Sequence, residues 1–228
     1  MASKAIVCVT GASGFIAGQT IRELLASGFK VRGTVRGEVD DGQYTYLKQL
    51  PGAGESLELV PGDLTQPGSF DTAIAGCDFV IHAASPYLLE TKNPQQEMVD
   101  PAVNGTLDVL RACNNAPSVK RVVLTSSIAA ITDEPDDQHI FTETDWNSKS
   151  SLARNPYFYS KALAEQAAWN FMREQARSFD LVVLNPCMVI GEALGPGLNS
   201  SNQVICDLLS GTYPGIMALS SCPRAGDG

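Results

Sequence analysis

Tyr157 and Lys161 lie four residues apart, and together they could move a proton near neutral pH. On an α-helix this spacing places both side chains on one face, about one turn apart. A lysine ammonium beside a tyrosine favours the phenolate and lowers a pKa that is ordinarily about 10, which suits the redox chemistry of carbonyls and alcohols. The spacing alone does not decide the matter, because Tyr44 and Lys48 repeat it. The elements around each pair must distinguish them.

The elements that would position these residues alternate between strands and helices. Short apolar runs predict six strands, over 5–10, 30–35, 57–60, 78–83, 121–125 and 181–184. Apolar residues at helical spacing predict helices over 15–27, 43–50, 69–75, 95–114 and 156–177. A break or kink is expected near Asp100, because Pro101 favours the first turn of a helix. This alternation predicts an α/β fold, a doubly wound parallel sheet (Rossmann fold) with helices on both faces.

One long segment without periodicity, residues 128–155, interrupts the alternation. It is acidic, contains Trp146 and follows the C-terminal end of the fifth predicted strand. Long loops in compact domains are usually functional, and open parallel sheets bind ligands at this edge. We expect this segment to contribute to substrate choice.

The turn between the first strand and the first helix is rich in glycine, with the sequence TGASGFIAG over residues 10–18. Glycine permits a tight turn and a close approach to a pyrophosphate, and the helix N-terminus binds phosphate through its N–H groups. By itself such a loop could be a simple tight turn, but its place in the first crossover favours a dinucleotide. The expected cofactor-binding residues here are Gly11, Ser13, Gly14, Phe15 and Ile16.

The end of the second strand bears on which dinucleotide binds. NAD-binding proteins usually present an acidic residue to the ribose 2′-hydroxyl, whereas NADP-binding proteins present an arginine. Arg36 stands at this position and can pair with a 2′-phosphate, so NADP(H) is the expected cofactor. Glu38, Asp40 and Asp41 follow closely and leave NAD open. Lys48 is either a solvated helix residue or a second phosphate contact.

Further candidates follow the C-terminal ends of the third and fourth strands. Asp63 and Leu64, and then Ala83, Ala84 and Ser85, could line the adenine and ribose of the cofactor. A turn or cap residue is the alternative interpretation of Asp63.

The fifth strand ends in Thr125, Ser126 and Ser127. A serine hydroxyl at this edge can donate a hydrogen bond to a substrate carbonyl and stabilise the oxyanion that forms as hydride arrives. Capping of the strand end is the alternative role for both serines. Thr125 is assigned to the cofactor site.

Composition argues against several classes of function. The 228 residues suit one domain with at most a small appendage. A net charge of −9 and a pI of about 4.7 argue against a nucleic-acid-binding surface, which needs clustered Lys and Arg. The six cysteines lack metal-ligand spacing, so no metal is expected, and several lie in apolar runs, where we expect buried free thiols. No signal peptide and no apolar stretch of ~20 residues is visible, so a cytoplasmic protein without a membrane span is expected.

These motifs together resemble the extended short-chain dehydrogenase/reductase family, within the NAD-dependent epimerase/dehydratase superfamily, and most closely its dihydroflavonol-reductase and cinnamoyl-CoA-reductase-like group. In chain order the matching motifs are TGASGFI, VRGTVR, GDL, HAASP, VNGT, TSS, YFYSKALAE, NP and VIG, within residues 4–218. The resemblance implies that Ser127 binds the substrate carbonyl and that Tyr157 donates the proton. It also implies that Lys161 binds the nicotinamide ribose and lowers the tyrosine pKa, while Pro186 contacts the cofactor. The implied reaction is hydride transfer from NADPH to the carbonyl of a small molecule, without a metal.

The chain departs from the family pattern in two places. Ala17 replaces the third glycine of the loop, a substitution tolerated where helix and strand pack. Members of the group usually continue well beyond this length, so we expect an NADP-binding domain over 1–190 and only a remnant of the substrate region, with a divergent tail, over 191–228. Two alternatives therefore stay open: a nucleotide-sugar epimerase or dehydratase that uses NAD, and a non-catalytic NADP-binding paralogue. The expected oligomeric state is a monomer or weak homodimer.

Two histidines and a second tyrosine receive no role in this chemistry. His82 and His139 have no triad partner in view, and His82 is expected to be a structural residue beside the cofactor. Tyr159 faces elsewhere on the predicted helix and is expected to pack.

Overall fold

The computed structural model describes residues 4–40, 42–86, 91–134, 136, 138–175 and 178–212. The strands are β1 (Ile6–Thr10), β2 (Lys30–Val35), β3 (Leu57–Pro61), β4 (Phe79–His82), β5 (Arg121–Thr125) and β6 (Asp180–Leu184). They form one parallel sheet in the order β3-β2-β1-β4-β5-β6. The strand order reverses between β1 and β4, the point at which doubly wound sheets bind ligands. The predicted fold class is confirmed.

Helices cover both faces of this sheet. They are α1 (Phe15–Ala26), α2 (Thr45–Lys48), α3 (Ala53–Ser56), α4 (Asp71–Ile74), α5 (Asp100–Asn115), α6 (Pro156–Glu174) and α7 (Ser200–Leu209). On β1, Val7 and Val9 join one core cluster with Ile21 of α1, whereas Cys8 joins a second cluster with Val109 of α5. Because side chains alternate along a strand, the two clusters are the two faces of the sheet.

The start of α6 is set by local sequence. The Asn155 side chain accepts a hydrogen bond from Phe158 N at 3.4 Å, and Pro156 occupies the first turn. Both are favoured at a helix start, so the predicted start is correct. The helix ends at Glu174 because Gln175 is extended, three residues before the predicted end. Residues 176 and 177 lie outside the described residues.

Near Asp100, where a break or kink is predicted, the helix changes type while the backbone stays helical. A π-helical segment, Gln95–Val99, precedes α5, and Pro101 lies in the first turn of α5. Asn104 and Gly105 are helical, as the apolar period predicts. A Cβ on Gly105 would lie 2.6 Å from Leu64 Cδ2, so glycine at this point lets α5 approach the residue after β3.

The short helices differ most from the sequence prediction. The predicted helices 43–50 and 69–75 are reduced to the single turns α2 and α4, which left-handed glycines flank on both sides. These glycines are Gly42 and Gly52 around α2, and Gly68 and Gly76 around α4. These glycines lie outside the predicted ranges and bound each segment, and within those bounds α2 ends at Lys48 and α4 ends at Ile74. The sequence pattern does not predict α3 or α7.

The described residues contain neither a helix long and apolar enough to cross a membrane nor a cluster of side chains that could hold a metal ion. Cys8, Cys77 and Cys113 are buried free thiols, as predicted, whereas the free thiol of Cys187 is half-buried and that of Cys206 is exposed. Cys222 and the predicted divergent tail lie outside the described residues.

Candidate active site

The candidate site forms where β1, β4 and β5, adjacent in the sheet, end beside α6. Its first part is the turn between β1 and α1. Gly11 has a φ of 68°, and a Cβ there would lie 2.8 Å from Ala84 Cα, so the turn and the end of β4 are in contact. Gly14 precedes α1 without a side-chain cap, and no acidic residue occupies the first turn. The first N–H groups of α1 are therefore available to an anion.

All five residues predicted in this loop lie at the turn or in the first turn of α1. Tyr46, which the sequence does not single out, donates from its hydroxyl to the Ser13 carbonyl at 3.1 Å. Ala17 is buried, consistent with the packing role of the third loop position.

A buried contact joins β1 to β4 beside this turn. Thr10 Oγ1 lies 2.7 Å from His82 Nδ1 and accepts a hydrogen bond from Ala84 N at 3.1 Å. Its own proton is thus free to be donated to Nδ1. Burial, together with the charge of Lys161, lowers the pKa of His82 to about 3, so the ring is neutral at physiological pH.

Arg36 follows β2 and is exposed, and no ion pair between described residues includes it. The nearby acidic residue Asp40 instead accepts a hydrogen bond from Lys48 Nζ at 2.7 Å. The Tyr44 hydroxyl donates to the Arg36 carbonyl at 2.5 Å, so the Tyr44–Lys48 pair stabilises this loop. Asp41 lies outside the described residues.

Asp63 serves at least partly as a turn residue. Its Oδ1 accepts hydrogen bonds from Thr65 N at 2.8 Å and from Thr65 Oγ1 at 2.7 Å. Donation from Thr65, with a smaller contribution from the charge of Arg36, lowers the pKa of this carboxyl. Arg36 follows β2 and Asp63 follows the paired parallel strand β3, so both lie at the same end of the sheet.

Lys161 lies at the centre of the site. It is buried, and its Nζ donates to Ser85 Oγ at 2.9 Å and lies 5.8 Å from the centroid of the Tyr157 ring. Burial lowers the pKa of Lys161 to about 8, while the charge of Glu165 acts in the opposite direction. The ammonium is therefore still the major form at neutral pH. Tyr157 is half-buried in the first turn of α6 and meets Phe158 edge-on, with ring centroids 6.0 Å apart.

The serines after β5 differ in their contacts. Ser127 Oγ accepts a hydrogen bond from Ala129 N at 3.2 Å and caps the 3-10 turn Ile128–Ala130. An accepting hydroxyl keeps its own proton, so Ser127 can still donate to a carbonyl. Ser126 Oγ is buried without a hydrogen-bond partner among the described residues.

The end of β6 is tied to the end of β5. Ile128 N donates to the Pro186 carbonyl at 3.0 Å, and Ser126 N donates to the Leu184 carbonyl at 2.8 Å. Pro186 and Thr125 are both half-buried at this edge. Nothing in the sequence pattern assigns a role to Asn185 or Glu165, yet both lie beside these residues. The i+4 spacing from Lys161 to Glu165 is the one signal that could have found the carboxylate.

The loop 128–155 is held by a network of polar contacts. Asp133 Oδ2 accepts hydrogen bonds from Ser150 Oγ at 2.7 Å and Arg154 Nε at 3.0 Å, and Arg154 also pairs with Glu134 at 2.7 Å. Asn147 Nδ2 donates to the Ala129 carbonyl at 2.7 Å. These contacts fix the base of the loop beside Ser127 while its outer part stays exposed.

The chain is similar to several known proteins. The sequence profile of the NAD dependent epimerase/dehydratase family matches residues 7–221. A cinnamoyl-CoA reductase of Medicago truncatula is 46% identical over 219 residues, which cover 92% of this chain and 66% of the relative. Tetraketide alpha-pyrone reductase 1 of Arabidopsis thaliana is 46% identical over 213 residues, which cover 92% of this chain and 65% of the relative.

The chain is also similar to solved structures of reductases. Gre2 of Candida albicans in complex with NADPH has a TM-score of 0.81 at 33% identity, over 90% of this chain and 65% of that one. Vestitone reductase from alfalfa (Medicago sativa) has a TM-score of 0.75 at 34% identity, over 90% of this chain and 64% of that one. The chain thus spans slightly less than two thirds of the length of these four relatives.

Proposed function

The chain belongs to the NAD dependent epimerase/dehydratase family, and we propose that it is an NADPH-dependent reductase that transfers hydride to an aldehyde or ketone carbonyl. The observation that carries this proposal is the contact of Lys161 with both Ser85 and the Tyr157 ring, beside Ser127. A buried cation next to a phenol, with a second hydroxyl at the neighbouring strand end, suits protonation of a carbonyl oxygen.

The residues at the β1–α1 turn fit a dinucleotide. Gly11 leaves room where a Cβ would meet the end of β4, and the N-terminus of α1 has no side-chain cap. A pyrophosphate is the anion that such a glycine-rich helix N-terminus suits. When bound, NADPH would supply the hydride that adds to the carbonyl carbon. NADPH is favoured over NADH because Arg36 is exposed and can meet a 2′-phosphate. Asp40, one of the acidic residues that would favour NAD, is already paired with Lys48. The NADPH complex of Gre2, whose fold this chain shares, supports the same choice.

The chain's own residues then divide the work at the carbonyl oxygen. Ser127 would donate a hydrogen bond and stabilise negative charge on that oxygen. Tyr157 would donate the proton. Lys161, charged at neutral pH, would lower the cost of leaving a phenolate behind. Ser85 holds the ammonium in place through its hydroxyl.

The substrate class follows from the relatives. The curated relatives include reductases of cinnamoyl-CoA, of tetraketide alpha-pyrones and of dihydroflavonols. A small-molecule aldehyde or ketone carbonyl is the proposed substrate, with loop 128–155 contributing to the choice.

Two other functions would give different results. An epimerase or dehydratase using NAD would regenerate its cofactor, and Arg36 argues against it. A non-catalytic paralogue would bind NADPH without turnover.

Measurement of NADPH oxidation with a panel of aldehydes and ketones separates these functions. We expect turnover by the wild type and a loss of about 10²–10⁴-fold in Tyr157→Phe, because a general acid typically contributes that much. Tyr159→Phe, on the same helix, is the matched control and should retain activity. NADPH binding without oxidation in the wild type, across the whole panel, would reject the reductase in favour of the binding protein.

A further inference from the structure

Lys161 and Glu165 are the two residues among Asp, Glu, Lys and Arg that are buried within the described part of the chain. They lie four residues apart on α6, so they are neighbours on one face. Both line a narrow cavity of about 20 Å³ that Ser85 and Ser126 also line. A buried carboxylate is costly unless it is hydrogen-bonded and close to a cation, and this juxtaposition supplies the cation.

The hydrogen bonds of Glu165 lead to the serine strand. Its Oε2 accepts from Asn185 Nδ2 at 2.7 Å, and its Oε1 accepts from Trp169 Nε1 at 3.3 Å. Asn185 Nδ2 also donates to the Ser127 carbonyl at 3.1 Å. One amide thus connects the carboxylate to the backbone of Ser127. Asn and Trp are neutral donors, so they orient the carboxylate without cancelling its charge.

Other ionisable groups near Lys161 cannot replace this charge. From β4, His82 is neutral, and from α6 itself Tyr157 presents a phenol. From α5, the cavity lining is formed by Ala102 and Thr106. The acidic residues on the elements packed against α6 have other partners: Glu97 accepts from Thr91, Asp100 from Gln95, and Asp108 from Gly68 N. Arg111 of α5 lines a separate groove between α5 and α6.

We propose that Glu165 is a positioning residue for the reaction: its carboxylate keeps Lys161 protonated and, through Asn185, holds the strand end that carries Ser127. The effect on turnover rests on the proposed reductase function, but the effect on Lys161 does not. Burial lowers the pKa of Lys161, and the negative charge of Glu165, one turn away, acts in the opposite direction. Without it the amine would be neutral over more of the physiological range.

The first test is the pH dependence of kcat/KM for Glu165→Gln, which removes the charge and keeps the shape. We expect the alkaline limb to move about one pH unit lower, while activity near pH 6 is largely retained. Glu165→Asp should restore most of the alkaline limb. Trp169→Phe removes one hydrogen bond and no charge, and it should leave the limb in place. Asn185→Ala should lower activity at all pH values without moving the limb, because it loosens Ser127 and keeps the charge.

The second test needs no turnover. Trace acetylation with acetic anhydride across pH, followed by mass spectrometry of the Lys161 peptide, reports the pKa of this amine in the folded chain. A lower apparent pKa in Glu165→Gln than in wild type supports the proposal even if no substrate is turned over, in which case only the reductase function fails. An unchanged apparent pKa overturns it even if the enzyme is active. Should Glu165→Gln not fold, Glu165→Met, which also removes the charge, is labelled instead, and an apparent pKa equal to that of the wild type overturns the proposal.

Discussion

At the scale of single residues, burial separates the two tyrosine–lysine pairs that the sequence leaves equivalent. Lys48 is exposed and paired with Asp40, whereas Lys161 is buried against Ser85 and faces Tyr157. The two pairs have the same spacing in sequence, but Lys161 is shielded from water and Lys48 is not. A buried lysine with a lowered pKa beside a phenol is typical of functional sites, whereas an exposed surface ion pair contributes little to stability.

Burial of the His82 ring makes the free energy of unfolding depend on pH. Above about pH 6.5 the ring is neutral in the folded and unfolded chain; below it the unfolded chain binds a proton that the folded chain, with a pKa of about 3, does not. Stability from this group is therefore lost as pH falls. Between pH 7 and pH 5 we expect a loss of about 2 kcal/mol in the free energy of unfolding.

Urea denaturation at several pH values measures this dependence. His82→Asn should lower stability at pH 7 and flatten the slope between pH 7 and pH 5. Equal slopes in His82→Asn and wild type would show that burial of this ring does not govern the acid response.

At the scale of elements, the β1–α1 turn joins fold and site. Gly11 and Gly28 both adopt left-handed backbone, with φ of 68° and 83°, but their surroundings differ. A Cβ on Gly11 would meet Ala84 Cα at 2.8 Å, whereas nothing lies within 4 Å of a Cβ on Gly28. A side chain at Gly28 would therefore add backbone strain alone, whereas one at Gly11 would add strain and also displace the end of β4.

Alanine at each glycine tests this difference. Gly28→Ala should cost about 1–2 kcal/mol of stability through strain alone, with NADPH affinity unchanged. Gly11→Ala should cost more and weaken NADPH binding, because the turn must move away from β4. Urea denaturation and fluorescence titration provide the two measurements. Equal affinity in the two variants would mean that the turn does not contact the cofactor.

The elements that the sequence predicts well carry their own signals. β1, α1, α5 and α6 combine strong apolar patterns with local start signals such as Asn155 and Pro156, so their boundaries follow from local preferences. α2 and α4 are single turns that depend on contacts elsewhere in the fold, and the pattern predicts them too long. The role proposed for Glu165 depends on Asn185, twenty residues away, and on burial. Such a contact cannot be read from spacing.

At the scale of the whole molecule, the two ends of the chain differ in packing. The two core clusters lie on the two faces of the sheet, whereas α7 has no buried residue. The large apolar side chains exposed towards this end are Val182, Leu184, Met188, Ile190, Leu198, Ile205, Leu208 and Leu209. Exposed apolar surface of this kind marks contact sites. The domain division at residue 190, the cytoplasmic location and the monomer or weak homodimer stay predictions.

Cofactor binding can be measured independently of turnover, through the increase in the stability of the folded chain. NADPH at 100 times its Kd should stabilise the protein by about 2.7 kcal/mol and raise Tm by about 5–10 °C. NADH should give a smaller shift at equal concentration, because it lacks the 2′-phosphate with which Arg36 is proposed to pair. Arg36→Ala should make the two shifts alike, while Lys48→Ala should preserve the difference. Equal shifts in the wild type would contradict the assignment of Arg36.

The most direct test of the central claim follows the hydride itself. NADPH carrying deuterium at the transferred position is mixed with an aldehyde or ketone from the active panel, and the product alcohol is analysed by mass spectrometry. We expect one deuterium on the carbinol carbon with the wild type and almost none with Tyr157→Phe. Bound NADPH that leaves the carbonyl undeuterated in the wild type, or full transfer without the phenol, would contradict it.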